Sequence, residues 1–401
     1  MISNAVAPQN RQVPARSTEV VVVGGGIAGC TAAHALATRG FKITLFEQRH
    51  IGYGASGRNL GLLLNDFGAE SVAMMRKALS AYRELAEGPV PFELRETPYL
   101  LLPTTDEQVE VTADKAAELA RLGLRAEAID ATALTRSLPQ LGRGGPGAHV
   151  VHGCWAVSAA GATRAFAEAA RTAGAEIRTG VRVAALSTTG GRLDGVLTDA
   201  GPVACDAVVV ASGPWLTDLV DDAPLSTGRG WVLRTGHLEF KLPWVLVDMS
   251  WPDLEELARV ARPPLLSEVA AGGYDRPAAA TVSMVPQPNG RALLGTSLSA
   301  SLRDAVEGLD MPQLIAQRAL ALLPGLGDVR ITAGWYGMRP MTPDGLPIVG
   351  ETSTEGVYVH GGHGSIGMQS APWTARLLAE VMERRPSDAV AHFALARFKS
   401  R

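Results

Sequence analysis

A chain of 401 residues, 46% hydrophobic and 19% charged, holds enough apolar material for one large domain or two sharing an interface, which excludes global disorder. Its formal net charge of −3 removes the electrostatic case for binding nucleic acid or an anionic membrane. Cys30, Cys154 and Cys205 lack CxxC spacing and make an odd count, which argues against a disulfide framework or a thiolate metal site and suits a reducing cytoplasm.

In chain order, residues 1–17 are a polar leader with two prolines and two arginines and no apolar stretch. It reads as a disordered segment and not a secretory signal, so a soluble cytoplasmic protein is expected. Val20–Ala37 is apolar, but four glycines interrupt it and Thr31 and His34 lie within it, against a membrane span. Glu19–Val23 is a continuous β-branched run, the pattern of a buried parallel strand. Ile27–Thr38 carries small residues for a helix packed closely on a sheet, Gly40 stops it, and Phe41–Glu47 is the next strand.

The turn between them reads Gly24-Gly25-Gly26-Ile27-Ala28-Gly29, a GxGxxG directly after a strand and opening a helix. Gly24 permits the tight turn, Gly26 lets backbone N–H groups approach a pyrophosphate, and Gly29 allows close helix–strand packing. The helix N-terminus offers its unpaired N–H groups and positive dipole to the phosphates. Glu47 ends the second strand 18 residues after Gly29, placed to accept from ribose hydroxyls, and its charge repels a 2′-phosphate. The motif itself does not separate NAD from FAD, because both present an ADP moiety.

Farther along, Ala69–Glu87 places Val72, Met75, Leu79, Tyr82 and Ala86 on one helical face. A helix over Thr163–Ala173, strand-like Glu176–Leu186, Leu193–Leu197 and a buried strand with a glycine turn (205–215) follow. Val282–Pro286, Asn289-Gly290 and Ala292–Thr296 spell a β-hairpin. Ile331–Pro343 and Val357–His360 are strand-like, and a helix with Ser370 as N-cap and Pro372 in its first turn runs to about Arg384. The expected fold is α/β, α+β overall: a Rossmann-like nucleotide domain (18–90, 147–218, 331–392), a discontinuous mixed-sheet substrate domain (91–146, 219–330) and a C-terminal tail (393–401).

Beyond these elements, the chain resembles the D-amino-acid-oxidase-like FAD oxidoreductases, the group that holds glycine oxidase, sarcosine oxidase and D-amino-acid dehydrogenase, and is closest in pattern to glycine oxidase. The segments that carry the likeness are VVVGGGIAGCTAAHALATRG with Glu47, GASGRN (54–59), CDAVVVASGPW (205–215), MVPQPNGRALLGTS (284–297), GMRPMTPDGLPIVG (337–350) and GGHGSIGMQSAP (361–372). The resemblance implies FAD as cofactor, with Ser56, Arg58 and Asn59 by the phosphates and flavin edge, Val183 against the adenine, and Gly213 in the glycine turn of the 205–215 strand. It places Gly337 and the turn Gly364, Ser365, Ile366, Gly367 and Met368 at the isoalloxazine. Gly337 stands where sarcosine-oxidase-like proteins have a flavin-linking cysteine, so the FAD is expected to be non-covalent.

By the same likeness Arg339 would hold a substrate carboxylate with a bidentate guanidinium. Lysine stands only at five positions and 32 of the 37 basic residues are arginine, so an ordinary ion-pair arginine is the competing reading. The implied chemistry is hydride transfer from the amine-bearing carbon to flavin N5, an imine that water hydrolyses, and electrons passed to O₂ as H₂O₂. His363 either tunes the flavin, accepts a proton, or braces the turn; Tyr336 either lines the pocket or packs. Glycine oxidase resemblance leads to a tyrosine near Ser283 and a second arginine near Ser365; their loss implies a larger substrate, an N-substituted glycine or secondary amino acid with an apolar arm. Trp231, Trp244 and Trp251 are candidates to cover that arm.

Three alternatives stay open: a dehydrogenase or flavoprotein subunit feeding a quinone or partner chain, a NAD-dependent Rossmann enzyme, and a flavin-binding scaffold without activity. No HExxH, Ser/His/Asp order or carboxylate pair points to a metal or to hydrolysis. A homo-oligomer is compatible with the sequence, and the 240–275 insertion reads as a lid or a partner surface.

Overall fold

The computed structural model of the protein describes residues 18–63, 69–103, 105–141, 146–248, 278–300 and 310–398. The leader, Trp251 and most of the 240–275 insertion lie outside the described residues.

A six-stranded sheet runs in the order Ile348–Glu351, Val357–Gly361, Ala207–Val210, Glu19–Val23, Lys42–Glu47, Glu176–Thr179. All pairs are parallel except Ile348–Glu351 with Val357–Gly361. The central runs VVVV and AVVV are continuous because helices cover one face and a second sheet the other. Val20 and Val22 share a core with residues of the helices Ile27–Ala37, Ala159–Thr172 and Gly367–Met382. Val21 and Val23 meet Val183, Leu193 and Val196 of a three-stranded antiparallel sheet. Each such buried valine contributes roughly 1.5–3 kcal/mol.

The second large sheet has eight strands: Ile331–Met341, Ser226–Thr235, Ala292–Ala300, Ala278–Pro286, Val245–Asp248, Tyr99–Leu102, Ala148–Val151 and Ala126–Ile129. Only Val245–Asp248 with Tyr99–Leu102 is a parallel pair. The helix Asp310–Leu322 packs Ile315, Ala319 and Leu322 against Leu233, Met284 and Leu294 of this sheet. Among the described residues, no helix is long and apolar enough to cross a membrane.

Several boundaries differ from the sequence reading. The strand Ile331–Met341 pairs along its length with Ser226–Thr235, so it belongs to the eight-stranded sheet and not to the nucleotide sheet; Ala148–Val151 does likewise. The stretch expected as one strand from Glu176 breaks at Gly180, whose φ of +76° turns the chain into a different sheet.

The last helix begins at Gly367, and the Ser370 hydroxyl donates back to the Ile366 carbonyl at 2.8 Å instead of capping. Pro372 therefore lies inside the helix, where it has no N–H for the Met368 carbonyl. The buried Tyr82 hydroxyl of the helix Ala69–Ala86 donates to that carbonyl in its place. This contact ties two helices together at the end that faces the site.

Candidate active site

A cavity of about 1430 Å³ runs from the glycine turn of the nucleotide sheet to the inner face of the eight-stranded sheet. That exceeds the usual range of about 300–1,000 Å³ for small-ligand pockets and leaves space for a dinucleotide with a substrate beside it.

At the nucleotide end the chain is packed too closely for side chains. Gly24 has φ +109°, and a Cβ at Gly29 would lie 1.8 Å from the Gly24 carbonyl oxygen. At Gly26 the one atom near a built Cβ is Ser56 Oγ, at 3.1 Å, so the turn is bare toward the cavity. No residue of the helix Ile27–Ala37 caps its own start; Ser56 Oγ accepts from the Ile27 N–H at 2.9 Å. Glu47 is buried, with Oε2 accepting from Gly25 N–H and Oε1 from Arg49 N–H, both at 2.7 Å. Each oxygen keeps a lone pair for a ribose hydroxyl. Val183, Gly213 and Ala28 line the same end.

Asn59 lines the cavity, but its amide is committed to its own loop: Nδ2 donates to the Ala55 carbonyl at 2.9 Å and Oδ1 accepts from Gly61 N–H at 2.8 Å. It shapes the GASGRN turn and keeps no strong donor for a phosphate. Arg58 lies over the Tyr53 ring at 4.5 Å, and its carbonyl accepts from Trp335 Nε1 at 3.2 Å.

At the other end Arg339 projects from the inner face of its strand. Nη1 donates to the Ser297 carbonyl at 3.0 Å and Nη2 to Thr296 Oγ1 at 2.7 Å. Among the described residues no carboxylate lies within ion-pair distance of it. Burial without a counter-charge pulls its pKa down to about 10, so it stays cationic at neutral pH. Arg339 is thus a half-buried cation that faces a cavity with donors to spare, chemistry suited to an anion.

Tyr336 lies on the opposite face of the same strand and does not line the cavity. It is 36% exposed, packs on Trp231 at 5.3 Å and lies under the Arg229 guanidinium at 4.6 Å. Strand alternation, which separates 336 from 337 and 339, decides this. Trp231 and Trp244 pack in the core of the eight-stranded sheet and are likewise absent from the cavity wall.

Gly337, Ser283, Ser365 and the turn Gly364–Met368 do line it, Ser365 at an exposed lip. The N–H groups of Gly367 and Met368, in the first turn of the last helix, have no backbone acceptor among the described residues. His363 is 5% exposed and its Nε2 lies 3.1 Å from Thr374 Oγ1. Burial pushes it well below the ordinary 6.5, with the neighbouring His360 adding to the effect.

Sequence reasoning missed several participants. Ser212 Oγ is buried at the wall beside Gly24 with no partner among the described residues. Gly230 and Thr296 seat the arginine, and His360 and Thr374 back the His363 turn. The only signal for His360 was the His-x-x-His spacing before a helix. The bare glycine turn, the orphaned Ser212 hydroxyl and the free helix N–H groups together fit a flavin dinucleotide, with Glu47, Ser56 and the Gly367 turn as the residues that would hold it.

Comparison with known proteins agrees with this geometry. The chain is 28% identical over 391 residues to glycine oxidase from Geobacillus kaustophilus, which covers 92% of this chain and 93% of that protein. It is 30% identical over 228 residues to a D-amino acid dehydrogenase of Cereibacter sphaeroides, covering 56% of this chain and 46% of that one, so the match spans about half the length of that relative. Its fold matches crystal structures of glycine oxidase from Bacillus cereus (TM-score 0.80, 22% identity, 94% and 98% of the two chains) and of L-proline dehydrogenase from P. horikoshii (TM-score 0.78, 20% identity, 96% and 98%). The FAD dependent oxidoreductase (DAO) family matches residues 19–381, nearly the whole described fold, and the protein is a member of that FAD-dependent enzyme family.

Proposed function

We propose that the protein oxidises the C–N bond of an amino acid or N-substituted glycine, using non-covalent FAD and passing electrons to O₂. The observation that carries this reading is the uncompensated Arg339 guanidinium at the floor of the cavity, which suits a carboxylate. FAD, when bound, supplies a hydride acceptor for the amine-bearing carbon. The substrate loses that hydride from carbon and a proton from nitrogen, and water hydrolyses the imine to an oxo acid and an amine or ammonia. O₂ takes up the two electrons with two protons and leaves as H₂O₂.

The chain's contribution is binding and orientation. Arg339 fixes the carboxylate end, and Leu60, Leu62, Met74, Leu101, Val232 and Val247 give an apolar wall for a substituent on nitrogen or carbon. That wall favours a substrate larger than glycine. Gly337 leaves no thiol for a flavin link. The D-amino acid dehydrogenases among its relatives support a second reading, in which a quinone or partner chain replaces O₂. A cytoplasmic setting fits the three unpaired cysteines.

The deciding measurement is an anaerobic absorption spectrum with glycine, sarcosine, D-alanine and N-alkylglycines, followed by oxygen uptake. Bleaching by an N-alkylglycine with oxygen uptake supports the proposal. Preference for free glycine removes the apolar-arm reading, and bleaching without oxygen uptake moves the protein to the dehydrogenase reading.

A further inference from the structure

Behind the flavin end of the cavity, three side chains form one chain of hydrogen bonds. His360 Nδ1 lies 2.9 Å from the Ala28 carbonyl, in the first turn of the glycine-motif helix. His360 Nε2 lies 2.9 Å from Thr374 Oγ1, and His363 Nε2 lies 3.1 Å from the same hydroxyl. The two rings meet edge to face, with centroids 4.9 Å apart.

Counting protons settles the tautomers. A carbonyl can only accept, so His360 Nδ1 carries the hydrogen. His360 is fully buried with no carboxylate partner among the described residues, and is therefore neutral, which leaves Nε2 a lone pair. Among the described residues the only donor within reach of that lone pair is the Thr374 hydroxyl, which has one hydrogen. The Ser370 and Ala371 carbonyls, at 3.1 and 3.3 Å, compete for it, but they lie inside the last helix, whose own N–H groups serve them, so the hydrogen goes to His360. Once Thr374 donates to His360, its oxygen must accept from His363, so His363 Nε2 carries a hydrogen. His363, also neutral, then has an unprotonated Nδ1. That atom has no hydrogen-bond partner among the described residues, and it is not among the buried unpaired atoms, so it opens onto the cavity that His363 lines.

We propose that Thr374 and His360 are positioning residues that lock His363 in its Nε2–H tautomer, presenting the Nδ1 lone pair to the cavity as an acceptor for an N–H donor of the bound ligand. Two sources share that chemistry, a ring N–H of the isoalloxazine and the amine of the substrate. The site thus offers a neutral acceptor beside the free helix N–H groups of Gly367 and Met368, which serve acceptors. The inference on the ligand rests on the FAD assignment; the tautomer does not.

The test is histidine-selective ¹⁵N NMR of the flavin-free full chain, then of the FAD-loaded chain, then with a non-oxidisable carboxylate amine added. We expect His363 to show a protonated Nε2 and an unprotonated Nδ1, and His360 the reverse, before any ligand is present. Thr374→Val removes the hydroxyl at constant shape and is expected to shift His363 toward a mixture of tautomers, while Thr374→Ser restores the single form. A His363 Nδ1–H signal in the unaltered chain, or an unchanged His363 tautomer in a folded Thr374→Val chain, overturns the proposal. A shift of Nδ1 on loading FAD assigns the ring as donor, and a shift only on adding the amine assigns the substrate. No shift with either overturns the ligand half of the proposal.

Discussion

Gly230 and Arg339 fit together across one strand pair: a Cβ at position 230 would lie 2.1 Å from Nη1 of the arginine and 2.6 Å from Cζ. The guanidinium lies where a side chain on the neighbouring strand would be, with Ser297 and Thr296 holding it from one side only. A glycine in the strand Ser226–Thr235 is thus what lets the cation lie flat against the sheet and face the cavity. Gly230→Ala is expected to displace the guanidinium and raise KM for the carboxylate substrate at least as much as it lowers kcat, with flavin content intact. Arg339→Met removes a charge-assisted contact worth about 2–3 kcal/mol, and KM should rise roughly 30- to 150-fold.

A second prediction concerns the glycine turn. At Gly29 a methyl group would overlap the Gly24 carbonyl, which no side-chain adjustment relieves. Gly29→Ala should yield protein without flavin colour and with a lowered Tm, because turn and helix must separate. Absorbance and differential scanning fluorimetry read both effects.

Acid should weaken the fold in a defined window. Burial holds His360 at about 4 and His363 well below 6.5, so the unfolded chain binds protons that the folded chain refuses. Stability is complete above the unfolded value of 6.5 and is lost as pH falls from there toward 4; for His360 the loss is on the order of 3 kcal/mol. Denaturation curves at a series of pH values should show this slope, and His360→Asn should flatten it.

Tyr82→Phe tests the bridge between helices. It leaves the Met368 carbonyl, already without a helical partner because of Pro372, buried and unpaired. A cost of about 1–3 kcal/mol in denaturant midpoint is expected.

The apolar wall yields a specificity test. Val247→Phe narrows the cavity opposite Ser283, its register partner. The kcat/KM ratio of N-alkylglycine to glycine should fall roughly tenfold or more.

What the sequence made legible followed from local chemistry. The VVVV run, the GxGxxG spacing and Glu47 each act within a few residues of themselves, so strand, turn and acid could be read together. Pairing partners could not: the alternation in Ile331–Met341 serves either sheet equally well, and Tyr336 could be assigned to a face only once Gly337 and Arg339 were seen on the other. The resemblance put Asn59 by the phosphates and flavin edge, but the demands of its own loop on both ends of its amide were not legible. Thr374 gave no warning, since a threonine on a helix is ordinary until two histidines converge on its hydroxyl.

The strand order of the nucleotide sheet also bears on biosynthesis. The strand Glu19–Val23 takes Ala207–Val210 as one neighbour, and that strand in turn pairs with Val357–Gly361, which follows much later in the chain. A nascent chain made only as far as Glu47 owns the glycine turn but lacks both those strands and the helix Gly367–Met382 that close the cavity around it. Cofactor capture is therefore expected to wait for that helix, and yellow colour marks chains made through it.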